Sequence, residues 1–231
     1  MTYGIVITAI GQTKKVEIAL RTIRPYARKV GAEVVVIDQP RLAINGPGGY
    51  NYLNFEKFQV ADCFDIFDRI LRLDSDVLIN PEAPNIFEET EDASFAAVME
   101  DHGSRAAQRR KEVQRLAHRF SVPAWHKDYF NSGVVVANRE VREAFVPRLD
   151  LTPQNLRDLG PFKEQSLLNL QLHWLNVWQD HDVQALDRRW NRMRAFVDIP
   201  KSQAYILHYA GPKDKEQRLM MEQDIKALGW G

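Results

Sequence analysis

The segment from Arg69 to Asn80 limits the fold of this chain more than any other part of the sequence. It reads Arg-Ile-Leu-Arg-Leu-Asp-Ser-Asp-Val-Leu-Ile-Asn and is followed at once by Pro81. An apolar, partly β-branched run that ends at a proline predicts a strand buried on both faces, as in the middle of a parallel sheet. Two acidic residues, Asp74 and Asp76, interrupt this run, and carboxylates cannot be left unpaired against an apolar layer.

The two carboxylates have three explanations. On a continuing strand they would point to the same face, where a cation between them would neutralise both. Alternatively they emerge at the carboxyl end of the strand, where open α/β sheets bind ligands. The third explanation is an ordinary surface turn, because Asp-Ser-Asp is common turn chemistry. The apolar residues on both sides of Asp74 and Asp76 argue against a surface turn and favour a metal site.

The first forty residues predict a βαβ unit. Tyr3 to Ala9 has a strand pattern, and apolar residues then recur at helical spacing until Gly31. Pro25 lies inside this helix and should kink or divide it. A second strand is predicted over Glu33–Ile37. Two strands joined in this way should be parallel, with a right-handed crossover.

The rest of the chain alternates further strand and helix patterns with loops. The sequence predicts helices over 55–67, 104–120, 164–174 and 214–228, strands over 94–99, 129–138 and 204–207, and a loop over 45–49. The helix over 104–120 is basic and amphipathic. A solvated face explains its charge, and binding of nucleic acid, a membrane surface or an acidic acceptor substrate stays open.

Composition narrows the class of protein. The 231 residues include 31 basic and 31 acidic side chains, so no net charge attracts nucleic acid or anionic lipid. Cys63 is the single cysteine; we expect it to be a packed thiol in a reducing compartment. The sequence shows no signal peptide and no run of 18 apolar residues. We therefore expect one soluble cytoplasmic domain over 1–231, of undetermined oligomeric state.

His208 adds an imidazole to the predicted site. It stands at the end of the last predicted strand, beside a glycine turn. With Asp74 and Asp76 it would give two carboxylates and one imidazole with positions left open, which suits Mn²⁺ or Mg²⁺ rather than structural zinc. Diphosphate oxygens would complete such a site, and the ion would stabilise charge on a leaving phosphate.

Several motifs occur in an order that resembles glycosyltransferase family 8, the GT-A-fold family that includes glycogenin and bacterial lipopolysaccharide galactosyl- and glucosyltransferases. The Asp74-Ser75-Asp76 triplet resembles the family's Asp-x-Asp motif. The other motifs are Phe55-Glu56-Lys57-Phe58, Phe95-Ala96-Ala97-Val98, Phe130-Asn131-Ser132-Gly133-Val134, Glu164-Gln165 with Asn169, Trp190-Asn191, and His208-Tyr209-Ala210-Gly211. The resemblance implies an α/β fold with a mostly parallel central sheet flanked by helices.

The resemblance also implies an activity and a site. The activity is that of a retaining transferase that moves a hexose from a nucleoside-diphosphate sugar, usually UDP-linked, to a saccharide or glycoconjugate acceptor with Mn²⁺ or Mg²⁺. Asp74, Asp76 and His208 would ligate the metal. The catalytic residues would be Asn131, Glu164 and Gln165, and the donor would contact Thr8, Ala9, Lys57, Ser75, Gly211 and Lys213 as well as Asp74.

The sequence departs from the family pattern at three places. Glu164 stands where an aspartate is more common. The loop after the first strand, Thr8 to Gln12, lacks the acidic and tyrosine residues that often hold the base. After Gly211 the chain reads Pro-Lys-Asp-Lys instead of continuing to a Lys-Pro-Trp. A non-catalytic sugar-nucleotide-binding protein is therefore one alternative. A sugar-phosphate nucleotidyltransferase is another, although it would carry a glycine-rich basic loop after its first strand.

Overall fold

A computed structural model describes residues 1–42, 53–100, 105–122, 125 and 129–230, and a sheet runs through the centre of this part of the chain. The strands within these residues are β1 Tyr3–Thr8, β2 Ala32–Ile37, β3 Arg69–Leu73, β4 Val77–Ile79, β5 Phe95–Met99, β6 Phe130–Asn138, β7 Val183–Ala185 and β8 Ile206–His208. Six of these described strands form one sheet in the order β2-β1-β3-β6-β5-β7, and β4 pairs with β8 in a separate ribbon. Within the large sheet β6 runs against the other five, so the expected mostly parallel sheet is confirmed.

Helices cover both faces of the sheet. Over the described residues the α-helices are α1 Thr13–Val30, α2 Ile86–Glu89, α3 Ala106–Arg119, α4 Pro153–Asp158, α5 Lys163–Trp174, α6 Val177–Asp180 and α7 Asp214–Leu228. Shorter-pitch 3₁₀-helices occupy Leu53–Asp65, Arg139–Phe145, Gly160–Phe162, Arg188–Asn191 and Lys201–Gln203.

The core consists of two apolar clusters, one on each face of the sheet. Leu71 and Leu73 of β3 pack toward α1 and α7, where they meet residues such as Ile23. Ile70 of the same strand points to the opposite face and packs in the cluster that contains Leu167 of α5. Both faces of β3 are therefore buried, as its apolar sequence predicts.

The predicted βαβ unit is present, with one difference. β1 and β2 are parallel, and α1 between them ends where Gly31 takes φ +68° and donates its N–H to the Ala27 carbonyl. Pro25 does not divide this helix, which continues through it for another turn. The packing of α1 between the sheet and α7 stabilises the helix by more than is lost through the one hydrogen bond that a proline cannot donate.

The segment Arg69–Asn80 forms two strands rather than one, and the break between them builds the site. The chain leaves the large sheet after Leu73, turns through Asp74–Asp76, and starts β4 at Val77. The carboxylates therefore emerge at the carboxyl end of β3, in a turn where Ser75 and Asp76 are buried rather than on the surface. β4 then pairs antiparallel with β8, which aligns Val77 with His208.

Several other predictions can be placed. The helix predicted over 55–67 is a 3₁₀-helix over Leu53–Asp65, and the basic helix is α3, whose predicted start at Ser104 lies outside the described residues. The loop over 45–49 also lies outside them. No helix of the described chain combines the length and apolar character needed to cross a membrane.

Cys63 offers a direct test of the packing on the α5 face. Its thiol is buried in the 3₁₀-helix Leu53–Asp65, and burial together with the nearby charge of Asp62 raises its pKa to about 11. The thiolate is the reactive form, so at pH 8 the folded protein should react with an alkylating reagent about 100-fold more slowly than an exposed cysteine. Because the chain has one cysteine, mass spectrometry reports this site alone. Alkylation of the native protein as fast as of the urea-unfolded protein would contradict this packing.

Candidate active site

A cavity of about 590 Å³ opens at the edge of the sheet where β1 and β3 end. Because β6 runs against its neighbours, its first residues lie at this same edge. Ten of the residues expected in the site line the cavity: Thr8, Lys57, Asp74, Ser75, Asp76, Asn131, Glu164, Gln165, His208 and Gly211. Two expected residues do not line it. Ala9 is buried in the core, and Lys213 is exposed just before α7.

Asp74, Asp76 and His208 converge within the cavity. One carboxylate oxygen of each aspartate and one ring nitrogen of the histidine all lie within 4.8 Å of one another. His208 Nε2 is 3.3 Å from Asp76 Oδ1 and 3.7 Å from Asp74 Oδ2. Oxygens bound about 2.1 Å from an octahedral ion lie about 3 Å apart, so these three groups are spaced to share one divalent cation.

The other oxygen of each carboxylate is held by a protein donor. Asp74 Oδ1 lies 2.8 Å from Lys57 Nζ and 2.5 Å from an Arg72 guanidinium nitrogen. Asp76 Oδ2 accepts a 2.7 Å hydrogen bond from the side-chain amide of Gln217 in α7. These donors orient each aspartate through one carboxylate oxygen and leave the other oxygen facing the point that the three groups share. Outer partners of metal ligands act in this way.

The two aspartates, Asp76 buried and Asp74 partly buried, are kept ionised by their neighbours. Burial alone would raise the pKa of Asp74, but the positive charges of Lys57 and Arg72 outweigh burial and hold that pKa well below its ordinary value. Burial likewise opposes ionisation of Asp76, and the neighbouring His208 lowers its pKa. Both side chains are therefore carboxylates, the form that binds a cation, at neutral pH.

A chain of amides orients His208. Asn131 Oδ1 accepts from the backbone N–H of Gly133 at 2.9 Å and from Asn191 Nδ2 at 2.9 Å. The side-chain oxygen of Asn191, Oδ1, lies 2.8 Å from His208 Nδ1. Because this oxygen can only accept a hydrogen bond, Nδ1 carries a proton. The other ring nitrogen, Nε2, faces Asp74 and Asp76.

Gly133 leaves the space that the imidazole occupies. A Cβ added at Gly133 would lie 2.1 Å from His208 Cε1 and 2.7 Å from His208 Nδ1. A glycine inside a strand often marks close approach by a ligand or by another backbone segment. The partner is instead a side chain from β8, which lies some 75 positions later in the chain.

Glu164 and Gln165 stand at the start of α5, opposite the aspartates. Glu164 Oε1 accepts from Lys57 Nζ at 2.8 Å, so this lysine joins Glu164 to Asp74. Gln165 Oε1 accepts from Asn131 Nδ2 and from the Ser132 N–H, both at 3.1 Å. Gln165 is buried and lines the cavity.

Several cationic side chains also line or adjoin the cavity, and no sequence motif identifies them individually. Lys15 of α1 donates to Gln217 at 2.8 Å, and Arg109 of α3 packs over the Phe162 ring and pairs with buried Glu100. Arg105 lines the cavity just before α3. The basic composition of α3 was the one sequence signal for the arginines, whereas nothing in the sequence relates Gln217 to Asp76.

The chain has a GT-A fold. It resembles a glycosyltransferase involved in the glycosylation of the major capsid of PBCV-1, with a TM-score of 0.59 and 15% identity over 96% of this chain and 100% of that one. It also resembles the galactosyltransferase LgtC in complex with donor and acceptor sugar analogs, with a TM-score of 0.57 and 15% identity over 95% of each chain. At such identity the likeness establishes the fold alone.

The family is established by sequence. The model of glycosyl transferase family 8 matches residues 5–215, and the chain belongs to this family. No curated protein sequence matches the chain. The expected family and fold are confirmed, and the chain is a glycosyltransferase by family.

Substitution of Gly133 tests the imidazole position. The methyl group of Gly133→Ala would lie 2.1 Å from His208 Cε1, which is closer than two carbon atoms can approach. His208 must therefore move away from the aspartates. We expect the free energy of unfolding to fall by about 1–3 kcal/mol, as for other overpacked cores. Mn²⁺ affinity, measured by calorimetry, should fall as well. Unchanged Mn²⁺ binding in a folded Gly133→Ala variant would contradict the geometry.

Substitution of Asn191 tests the orientation of the ring. Asn191→Ala removes the acceptor for His208 Nδ1 and should weaken Mn²⁺ binding about 10–100-fold, the usual effect of losing an outer partner. Asn191→Asp keeps an acceptor oxygen and should retain more affinity than Asn191→Ala. Equal losses in the two variants would show that the oxygen does not orient His208.

Proposed function

We propose that this chain is a metal-dependent retaining hexosyltransferase that uses a nucleoside-diphosphate sugar, UDP-linked, as donor. The observation that supports this most is the convergence of Asp74, Asp76 and His208, each oriented by an outer partner, at the edge of the sheet. The acceptor would be a saccharide or glycoconjugate. We also propose that residues 1–231 act as one catalytic domain.

Asp74, Asp76 and His208 would hold Mn²⁺ or Mg²⁺. A divalent ion bound there supplies a Lewis acid at the oxygens of the leaving diphosphate. The three ligands combine hard carboxylates with a neutral imidazole, and they leave positions for diphosphate oxygens and water. Lys57 and Arg72 offset the charge of Asp74, so the two carboxylates can stay close together before an ion binds.

The remaining cavity residues would position the donor. Gly211 follows the metal ligand His208 with φ +110°, a conformation that exposes backbone to the diphosphate. Thr8 and Ser75 line the cavity at the ends of β1 and β3, where we propose that the nucleoside lies. Ser75 donates to Gln12, so its hydroxyl is already directed by the loop after β1.

The sugar would lie between the metal site and the start of α5. Asn131 and Gln165 are fixed to each other by a hydrogen bond, and both line the cavity where we propose that the sugar lies. Glu164 is ion-paired with Lys57 rather than free to attack. This pairing favours front-face attack assisted by the leaving phosphate over a double displacement through Glu164.

Release of UDP from UDP-glucose and UDP-galactose tests this function. We expect hydrolysis or transfer to be stimulated by Mn²⁺ and abolished by chelation with EDTA. Asp76→Ala should lower turnover at least about 100-fold, equivalent to about 2.7 kcal/mol of transition-state stabilisation. Asp180→Ala, which removes an exposed carboxylate from α6, is the matched control and should leave turnover unchanged.

Two results would contradict the proposal. Turnover that is the same in Asp76→Ala as in the unmodified protein would reject a metal role for that carboxylate. Tight binding of a UDP-sugar without product from any acceptor would favour the non-catalytic alternative.

A further inference from the structure

Lysine and arginine side chains line the active-site cavity at four of the described positions: Lys15, Lys57, Arg105 and Arg109. Three of these cations have a close carboxylate partner within the described chain. Lys57 is paired with Asp74 and Glu164, each at 2.8 Å. Arg109 is paired with Glu100. Lys15 lies 3.6 Å from Asp214 and donates a hydrogen bond to Gln217. The protein itself therefore offsets these three positive charges.

Arg105 differs from the other three cations. Its one ion-pair contact among the described residues is with Glu100 Oε1, at 4.0 Å. Glu100 is already paired with Arg109 and accepts a 2.9 Å hydrogen bond from Asn131 Nδ2. A contact of this length to a carboxylate with two other partners neutralises little charge. The side chain of Arg105 is 30% exposed, so a ligand in the cavity can reach it.

The guanidinium of Arg105 lies beside Gly211. Its Nη2 is 3.7 Å from the position that a Cβ would take on Gly211, and it is the one described atom within 4 Å of that position apart from the glycine and its chain neighbours. Gly211 lines the cavity shortly after His208, and its backbone is the proposed contact of the diphosphate. Lys213, which the sequence assigned to the donor, is exposed and does not line the cavity. The cation at this segment is thus Arg105, from the opposite wall.

The neighbours of Arg105 indicate which phosphate it faces. Arg105 stands immediately before α3, and Arg109, one turn further along, packs 3.7 Å above the Phe162 ring. Phe162 immediately precedes α5, whose first residues lie where the sugar is proposed to bind. The nucleoside is proposed to lie at the ends of β1 and β3 instead. Arg105 therefore approaches the diphosphate from the sugar side, where the β-phosphate is bonded to the sugar.

We propose that Arg105 binds the β-phosphate of the donor, on the side of Gly211. This inference rests on the proposed transferase function and deepens it by naming a residue that holds the leaving group. A guanidinium recognises phosphate through paired N–H donors, and the cavity offers this one without a close carboxylate competitor.

The charge of Arg105 also suits the chemistry of the step. When the bond between the anomeric carbon and the phosphate oxygen breaks, its electron pair stays on the β-phosphate, which gains negative charge. The acceptor hydroxyl oxygen forms the new bond to the same carbon, and its proton passes to the departing phosphate. The two carboxylates of Asp74 and Asp76 offset the charge of a divalent ion. Arg105 adds a positive charge where negative charge develops.

UDP and UMP provide the test, because they differ by the β-phosphate alone. We would titrate each into the protein by calorimetry in the presence of Mn²⁺. Arg105→Gln should weaken UDP binding at least about tenfold, the effect of losing a charged hydrogen bond, and should change UMP binding less than about twofold. Arg105→Lys keeps the charge without the paired donors and should lie between the unmodified protein and Arg105→Gln.

Arg110→Gln is the matched control. Arg110 is an exposed arginine of α3 that does not line the active-site cavity, so its loss should leave UDP and UMP binding unchanged. Because Arg105 is partly exposed, Arg105→Gln should keep the melting temperature of the unmodified protein, and a thermal unfolding curve checks this.

Three outcomes would overturn the inference. Unchanged UDP affinity in a folded Arg105→Gln variant rejects it. An equal loss of UDP and UMP affinity assigns Arg105 to the nucleoside or the first phosphate and also rejects it. An equal loss of UDP affinity in Arg110→Gln shows a general effect of charge rather than a contact. Failure of the unmodified protein to bind UDP with Mn²⁺ is a separate result, which rejects the proposed function itself.

Discussion

The charge balance around Asp74 is the interaction on which the site depends. This carboxylate is mostly buried and follows a strand that is buried on both faces, a position in which an unpaired anion is unfavourable. Lys57 from the 3₁₀-helix and Arg72 from β3 approach the same oxygen, Oδ1. Their placement leaves Oδ2 facing His208. The same two contacts therefore neutralise the charge of Asp74 and orient its carboxylate.

The topology of the sheet explains how distant residues meet there. β6 runs against its neighbours, which brings Asn131 at its start to the edge where β1 and β3 end. The chain leaves the large sheet at Asp74 and pairs β4 with β8, and this second ribbon delivers His208 from late in the sequence. Gly133 then makes room for the imidazole. A shift in any of these pairings would separate the three groups.

Sequence patterns could predict the elements and the principal side chains of this site, but not the contacts that orient them. The apolar run around Asp74 and the glycine turn after His208 are local signals, and both residues line the cavity. The partners of these residues come from far along the chain. Gln217 reaches Asp76 from the opposite end of the sequence, and no local pattern distinguishes it from other polar residues of a charged helix.

The same limit explains why Lys213 does not line the cavity. Lys213 was assigned by its position after Gly211, yet the chain turns there into α7 and leaves the lysine exposed. Arg105, which precedes a helix on the other side of the cavity, lies near Gly211 instead. Position along the chain therefore predicts a positive charge near the glycine but does not identify the residue that supplies it.

Anomalous diffraction from a crystal grown with Mn²⁺ tests the central claim most directly. The account predicts one manganese peak within coordinating distance of Asp74, Asp76 and His208 Nε2, with His208 Nδ1 still bonded to Asn191. A manganese peak elsewhere, or one that contacts the aspartates while His208 points away, would contradict it.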